Sequence, residues 1–228
     1  MKTIDLSRYA RDRHKEKERR KTSPGPVITL SREFGCPAKI LAREFVETLN
    51  KRITKNKWGW VSKEILEKSA KELDVKPSEI KYVFNYEEKG FFDQILAAQA
   101  KKYYQSDKKI RKSISNVIKA IATEGYVVIV GRGGAAIAKN IPNSLHIKLQ
   151  APIEWRAKSV SEKHKISFEE AKKICIDYDK KRKQFLDYYW GKPSDTTLFD
   201  VIFNCSRMSR EEIVESVILI LKMKKIID

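Results

Sequence analysis

The chain has 228 residues, of which 41% are apolar and 34% charged. That is enough apolar content for one buried core, with more charge than the roughly 25% of an ordinary soluble domain. Forty-eight lysines and arginines against 30 aspartates and glutamates leave a net charge of +18, which brings repulsion among like groups and favours polyanions, phosphates among them. The N-terminus is charged, and apolar runs such as Val214–Leu221 stop well short of the roughly 20 residues of a membrane span. A cytoplasmic protein with no membrane partner is therefore expected. Cys36, Cys175 and Cys205 are odd in number and widely separated, and His14, His146 and His164 are scattered. Neither a disulfide framework nor a metal site built from protein side chains alone is expected.

Residues 1–26 form a basic arm that ends on Ser23-Pro24-Gly25-Pro26. Charge of that density cannot bury enough apolar surface to offset chain entropy, so the arm is expected to be flexible or a solvated helix. Residues 27–228 then alternate between two periodicities. Val27–Leu30 reads as a strand, Lys39–Lys51 as a helix, Trp58–Val61 as a strand and Ser62–Leu73 as a helix. A break falls at Val75-Lys76-Pro77, and Phe91–Glu124 carries helical spacing, with a stripe at Ile110, Ile114, Val117, Ile118 and Ile121. Tyr126–Val130 is an unbroken apolar run too short for a helix and closed by Gly131, the pattern of a buried parallel strand. Leu145–Leu149 reads as a further strand, Ile153–Lys163 and Phe168–Tyr189 as helices, and Phe199–Asn204 as the last strand. A helix over Ser209–Lys224 opens on Ser209-Arg210-Glu211-Glu212, a capping box. Strands alternating with helices predict an α/β fold with a central, mostly parallel sheet covered on both faces.

Two turns leave such strands where backbone N–H groups and a helix N-terminus converge on a ligand. The first is Ser31-Arg32-Glu33-Phe34-Gly35-Cys36-Pro37-Ala38-Lys39. Of the G-x-x-x-x-G-K-[ST] phosphate loop it supplies only Lys39, so an ordinary turn with a surface lysine stays open beside an anion-binding loop. A cysteine at this place, Cys36, is expected to have a lowered thiol pKa. The second turn is Gly131-Arg132-Gly133-Gly134, in which an arginine among glycines can fork two bonds onto a phosphate or simply face solvent. A third cluster, Asp177 to Lys183, puts Asp179 and Arg182 on neighbouring turns of one helix face, where they can pair or share a ligand. The aromatics Trp58, Trp60, Tyr103, Tyr104, Tyr188, Tyr189 and Trp190 are candidates for stacking a base or, more simply, for packing the core.

Four blocks occur in order: Ile28-Thr29-Leu30-Ser31-Arg32-Glu33-Phe34-Gly35, Val128-Ile129-Val130-Gly131-Arg132-Gly133, Ala151-Pro152-Ile153-Glu154-Trp155-Arg156 and Asp179-Lys180-Lys181-Arg182. With Glu87-Glu88-Lys89, the Phe185–Gly191 segment and Leu198–Asn204, the chain from about Val27 to Leu221 resembles the cytidylate kinase-like family of P-loop nucleoside monophosphate kinases. That resemblance implies transfer of the γ-phosphate of ATP, with Mg²⁺, to CMP or dCMP. It also implies a P-loop nucleotide kinase fold with an acceptor-binding helical region near residues 62–124 and a helical lid near 154–190. Ser31, Arg32, Gly35, Cys36, Ala38, Lys39 and Ile40 would surround the donor phosphates. Ser62, Arg132, Asp179 and Arg182 would serve the acceptor, and Lys39, Arg156 and Arg182 would act on the transferring group. The metal would come with ATP, not from a protein cluster.

The first loop departs from the family pattern. Gly35-Cys36-Pro37-Ala38-Lys39-Ile40-Leu41 stands where members read close to Gly-Ser-Gly-Gly-Arg-Glu-Ile. Pro37 removes one N–H donor and Ala38 adds a Cβ at the closest backbone approach. Trp60-Val61-Ser62-Lys63-Glu64-Ile65 likewise has Ser62 where the family has an aspartate. The alternative function is a kinase-fold protein without catalysis that binds nucleic acid or another polyanion through its basic arm and surface.

Overall fold

The computed structural model describes residues 24, 26–53, 56–62, 64–72 and 107–227. The basic arm up to residue 23, the break at Val75-Lys76-Pro77, Glu87-Glu88-Lys89, Tyr103 and Tyr104 lie outside the described residues. Five strands, β1 (Val27–Arg32), β2 (Gly59–Val61), β3 (Val127–Val130), β4 (Ser144–Gln150) and β5 (Val201–Asn204), form one sheet in the order β2-β3-β1-β4-β5. Every pairing is parallel, and Val27 stands opposite both Val127 and Ser144. Between and after the strands come α1 (Ala38–Arg52), α2 (Glu64–Glu72), α3 (Asp107–Glu124), the short α4 (Gly134–Ile137), α5 (Ile153–His164), α6 (Phe168–Trp190) and α7 (Arg210–Met223).

Parallel strands buried on both faces require apolar side chains at consecutive positions, and alternate residues then serve opposite layers. Ile28, Leu30, Val128, Val130, Leu145 and Ile147 face one layer, where they meet Leu41, Phe45, Val46 and Leu49 of α1 and Ile213, Val217 and Leu221 of α7. Val27, Val127 and Ile129 face the other, against Val61, Ile65 and the Ile110-Ile114-Val117-Ile118-Ile121 stripe of α3. That stripe and the apolar face of α7 are both core. The Ser209 hydroxyl accepts from the Glu212 N–H at 3.1 Å and the Glu212 carboxylate accepts from the Ser209 N–H at 2.8 Å, completing the capping box. None of the described helices is long and apolar enough to cross a membrane.

The expected boundaries shift at two places. The last strand begins at Val201 and not Phe199, because Asp195 caps a 3₁₀ turn over Thr196–Leu198, accepting from the Thr197 N–H at 2.8 Å. The second helix begins at Glu64, leaving Ser62 buried at the end of β2. Trp58 packs in the core edge-on to Tyr126, centroids 5.8 Å apart.

One polar cluster interrupts the sheet interior. The His146 ring bonds the Thr29 hydroxyl through Nδ1 at 2.7 Å and the Ser144 hydroxyl through Nε2 at 3.1 Å. The His146 N–H donates to Asp200, which also accepts from Lys224 at 2.7 Å. Burial pushes the His146 imidazole below its ordinary value, against the attraction of Asp200. A depressed histidine is neutral when folded and charged when unfolded below about pH 6.5, so the unfolded chain binds more protons and stability rises with pH across that window. The thermal midpoint is expected to fall as the pH is lowered from about 7 to about 5. The slope from this one proton is at most about 1.4 kcal/mol per pH unit, and His146→Asn should flatten it. Equal slopes in both proteins, followed by calorimetry, would refute this assignment.

Candidate functional site

All five strands run the same way, so the turns after β1, β3 and β4 open on one rim of the sheet, the place where open α/β sheets hold ligands. A cleft of about 460 Å³ lies there. Ser31, Arg32 and Glu33 come to it from the end of β1, Gly131, Arg132 and Gly133 from the end of β3, and Asp179, Arg182 and Lys183 from the middle of α6. Phe185, Leu186 and Phe199 supply apolar walls, and Lys148 stands with its ammonium 6.0 Å from the centre of the Phe199 ring.

The β1–α1 turn is held from outside by a charged bracket. Arg156, 6% exposed, donates through one amino group to Asp179 at 2.6 Å and to the Phe34 carbonyl at 3.1 Å. Its Nε donates to the Ala151 carbonyl at 2.8 Å and lies 3.3 Å from the Glu33 carboxylate, which also accepts the Ala151 N–H. Asp179 in turn accepts the Phe34 N–H at 2.7 Å. One buried guanidinium thus joins two carboxylates and both polar backbone groups of Phe34, so each charge has an opposite partner. The Phe34 ring stacks on Tyr178 with centroids 4.5 Å apart, and the Arg182 guanidinium sits 5.2 Å from the same ring while donating to the Arg32 carbonyl at 3.2 Å. Asp179 and Arg182 therefore share a face as their spacing predicts. They bind the β1–α1 turn and not each other.

The cleft lining carries five cationic side chains, Arg32, Arg132, Lys148, Arg182 and Lys183, against three carboxylates. Glu33 and Asp179 are paired with Arg156, and Asp195 caps the 3₁₀ turn. Lys183 is itself paired with Asp187 at 3.0 Å, and cationic side chains outnumber carboxylates among the described lining residues. Arg132 is 6% exposed and has φ of +60° between two glycines that also have positive φ, a turn that places a charged residue at the floor of the rim. A positive floor beside aromatic and aliphatic walls can hold a phosphate with an attached ring.

Several expected residues lie elsewhere. Gly35, Cys36, Ala38, Lys39 and Ile40 do not line this cleft. Ala38 is buried in the core, Ile40 is 40% exposed, and Gly35 packs on the backbone of Arg156. Arg156, expected at a transferring group, is engaged in the bracket. Ser62 is buried beyond the cleft at the end of β2. Cys36 reverses the expectation of a lowered pKa: its hydrogen bond to Cys205, then burial and the Glu33 charge, push the thiol up. Among the described residues no group of three or more His, Cys, Asp or Glu is placed to hold a metal. Sequence reasoning missed Phe34, Lys148, Phe185, Leu186 and the Ser194–Thr196 segment. Leu186, four residues beyond Arg182 and seven beyond Asp179, was readable from helical spacing; the Ser194–Thr196 contribution was not.

The model of the cytidylate kinase-like family matches residues 27–207. Cytidylate kinase of Pyrococcus horikoshii is 36% identical over 111 residues, covering 48% of this chain and 57% of that protein. The chain thus spans little more than half the length of this curated relative. An uncharacterized protein from Eubacterium ventriosum superposes with a TM-score of 0.62 at 20% identity, over 87% of this chain and 98% of that one. Shikimate kinase from Bacteroides thetaiotaomicron superposes at 0.50 with 14% identity, over 88% and 98%. At these identities the two structures speak for the fold alone.

The packing of the β1–α1 turn on α5 can be tested with two glycines. Gly35 has φ of +93°, and a Cβ there would lie 2.9 Å from the Arg156 Cβ and 3.1 Å from its carbonyl oxygen; Gly191 has φ of +79° with nothing within 4 Å. Gly191→Ala should cost only the left-handed conformation, about 1–2 kcal/mol. Gly35→Ala should cost clearly more in chemical denaturation, since a helix backbone must also shift. Equal losses would show that the turn is not clamped.

Proposed function

The chain belongs to the cytidylate kinase-like family and has the fold of the P-loop nucleotide kinases, and we propose that it transfers the γ-phosphate of ATP to a nucleoside monophosphate, CMP or dCMP before others. The observation that carries this reading is the convergence of Arg32, Arg132 and Arg182 on one cleft with apolar walls at the carboxyl rim of the sheet. Phosphoryl transfer asks little covalent chemistry of a protein. It asks for alignment and for positive charge on the transition-state oxygens.

Arg132, at the end of β3, holds the acceptor phosphate. Arg182, steadied by the Arg32 carbonyl and the Phe34 ring, lies against the oxygens of the transferring group, where one arginine can be worth about 10³–10⁵ in rate. Arg32, Lys148 and Lys183 add charge around them, and Phe185, Leu186 and Phe199 exclude water from the reacting oxygens. Asp179 and Arg156 are positioning residues, which fix the β1–α1 turn relative to α6. The α5–α6 hairpin serves as the lid and carries Arg182 with it. The donor set fits Mg²⁺ arriving on the nucleotide: Ser31 at the rim would offer it a hydroxyl, and Glu33 and Asp179 are engaged with Arg156. When bound, Mg²⁺ supplies charge neutralisation between the phosphates.

A coupled assay with MgATP and CMP, dCMP, UMP or AMP tests the reading. Diphosphate formation is expected, fastest with the cytidine acceptors. Arg132→Ala and Arg182→Ala should each lower kcat/KM by about tenfold or more, the equivalent of one lost hydrogen bond to a charged group. Lys39→Ala, outside the cleft lining, should lower it less. No diphosphate above the blank, from a wild-type protein with a cooperative unfolding transition, would reject the kinase reading.

A further inference from the structure

Arg132 stands between two glycines, and each of them is covered by a side chain from another element. Gly131, Arg132 and Gly133 have φ of +71°, +60° and +72°, three left-handed residues in succession. The turn closes with the Gly134 N–H on the Gly131 carbonyl at 3.0 Å. From the end of β1 the Arg32 guanidinium lies over Gly131. From the last turn of α6 the Tyr189 ring lies over Gly133, where a Cβ would stand 2.7 Å from Tyr189 Cδ2 and 3.5 Å from Phe185 Cε1. So close an approach needs a residue without a side chain at 133.

Tyr189 is itself held. Its hydroxyl donates to the Arg111 carbonyl of α3 at 2.9 Å, and its ring meets Phe185 and Tyr188 edge-on, with centroids 5.0 and 5.1 Å apart. The Arg111 guanidinium lies 4.5 Å from the centre of the Tyr188 ring and 5.5 Å from that of Phe185. Helix α3 thus grips the end of α6 through a backbone carbonyl and a side chain, and Tyr189 passes that grip to the turn after β3.

We propose that Tyr189 is a positioning residue: pinned by Arg111 of α3 and seated on Gly133, it sets Arg132 at the distance from Arg182 that one phosphate-bearing acceptor requires. Tyr189 does not line the cleft, whereas Arg132, Gly133 and Arg182 do. Arg182 lies about two turns before Tyr189 on the same helix. Three stiff links therefore join the two guanidiniums: α6 from Arg182 to Tyr189, the ring on Gly133, and the single step from Gly133 to Arg132. Alignment of this kind matters because a misplacement of about 1 Å can cost about 100-fold in rate. The consequence for catalysis rests on the kinase reading above; the effect on binding of a nucleoside monophosphate requires no phosphoryl transfer.

Calorimetric titration with CMP, on proteins that unfold cooperatively, tests the assignment. Tyr189→Leu should raise the Kd for CMP about tenfold or more, the equivalent of one misplaced bond to a charged group. Tyr189→Phe keeps the ring over Gly133 and gives up only the bond to Arg111, so it should recover most of that loss. Gly133→Ala should weaken CMP binding too. In the double variant Gly133→Ala/Tyr189→Leu the loss should fall well short of the product of the single losses, because the smaller side chain makes room for the new Cβ. In the coupled assay the KM for CMP should rise while that for MgATP stays. Losses that multiply, an unchanged Kd for CMP in Tyr189→Leu, or equal rises in both KM values would overturn the proposal. Should Tyr189→Leu not fold, Gly133→Ala carries the test, and an unchanged Kd there overturns it. A wild type that binds CMP yet forms no diphosphate would reject the kinase reading while the titrations still decide the role of Tyr189; a wild type without measurable affinity for CMP would overturn both.

Discussion

The placement of the cleft depends on one buried guanidinium. Arg156 is surrounded by Glu33, Asp179 and the carbonyls of Phe34 and Ala151, partners that offset the cost of keeping a full charge in so enclosed a place. By satisfying itself it fastens the turn after β1 to α5 and α6 at once. The hairpin has its own small cluster at Ala157, Val160, Ala171 and Cys175, and Phe185 of α6 reaches the core between the sheet and α3. The bracket orients Arg182 toward Arg32, and so brings the charges of α6 over the carboxyl rim of the sheet.

The fold was legible because each strand announces its two-faced burial: Val127-Val128-Ile129-Val130 admits hardly any other state once Gly131 ends it. Among the described residues, helix limits set by apolar spacing or a capping box held to within two residues, as at Ser209, while the start of the Phe91–Glu124 reading lies outside them. They moved where polar groups decided, as at Asp195, whose carboxylate closes a 3₁₀ turn in residues that alternation alone assigns to a strand approach. The site was legible in part. Arg132 and Arg182 are visible from the glycines and the Asp-x-x-Arg spacing around them. The part played by Arg156 is not, because its partners at 33, 34, 151 and 179 are assembled only by tertiary packing.

Charge in this protein works at two depths. Inside the bracket, opposite charges cancel and the result is rigidity. On the rim, cationic side chains outnumber carboxylates among the described lining residues, a composition that favours anions. The net charge of +18 does not by itself distinguish these uses, since the bracket contributes an arginine and two acids to the count. His146 marks a third environment, where burial in the sheet interior disfavours the charged imidazole against the pull of Asp200.

Arg32 also shows how tightly the rim is fitted. Its guanidinium lies over Gly131, with an amino nitrogen 1.9 Å from where a Cβ at that position would stand. A side chain at 131 would have to push the Arg32 guanidinium aside and hold a left-handed φ of +71°, so the glycine keeps the arginine laid across the turn that follows β3.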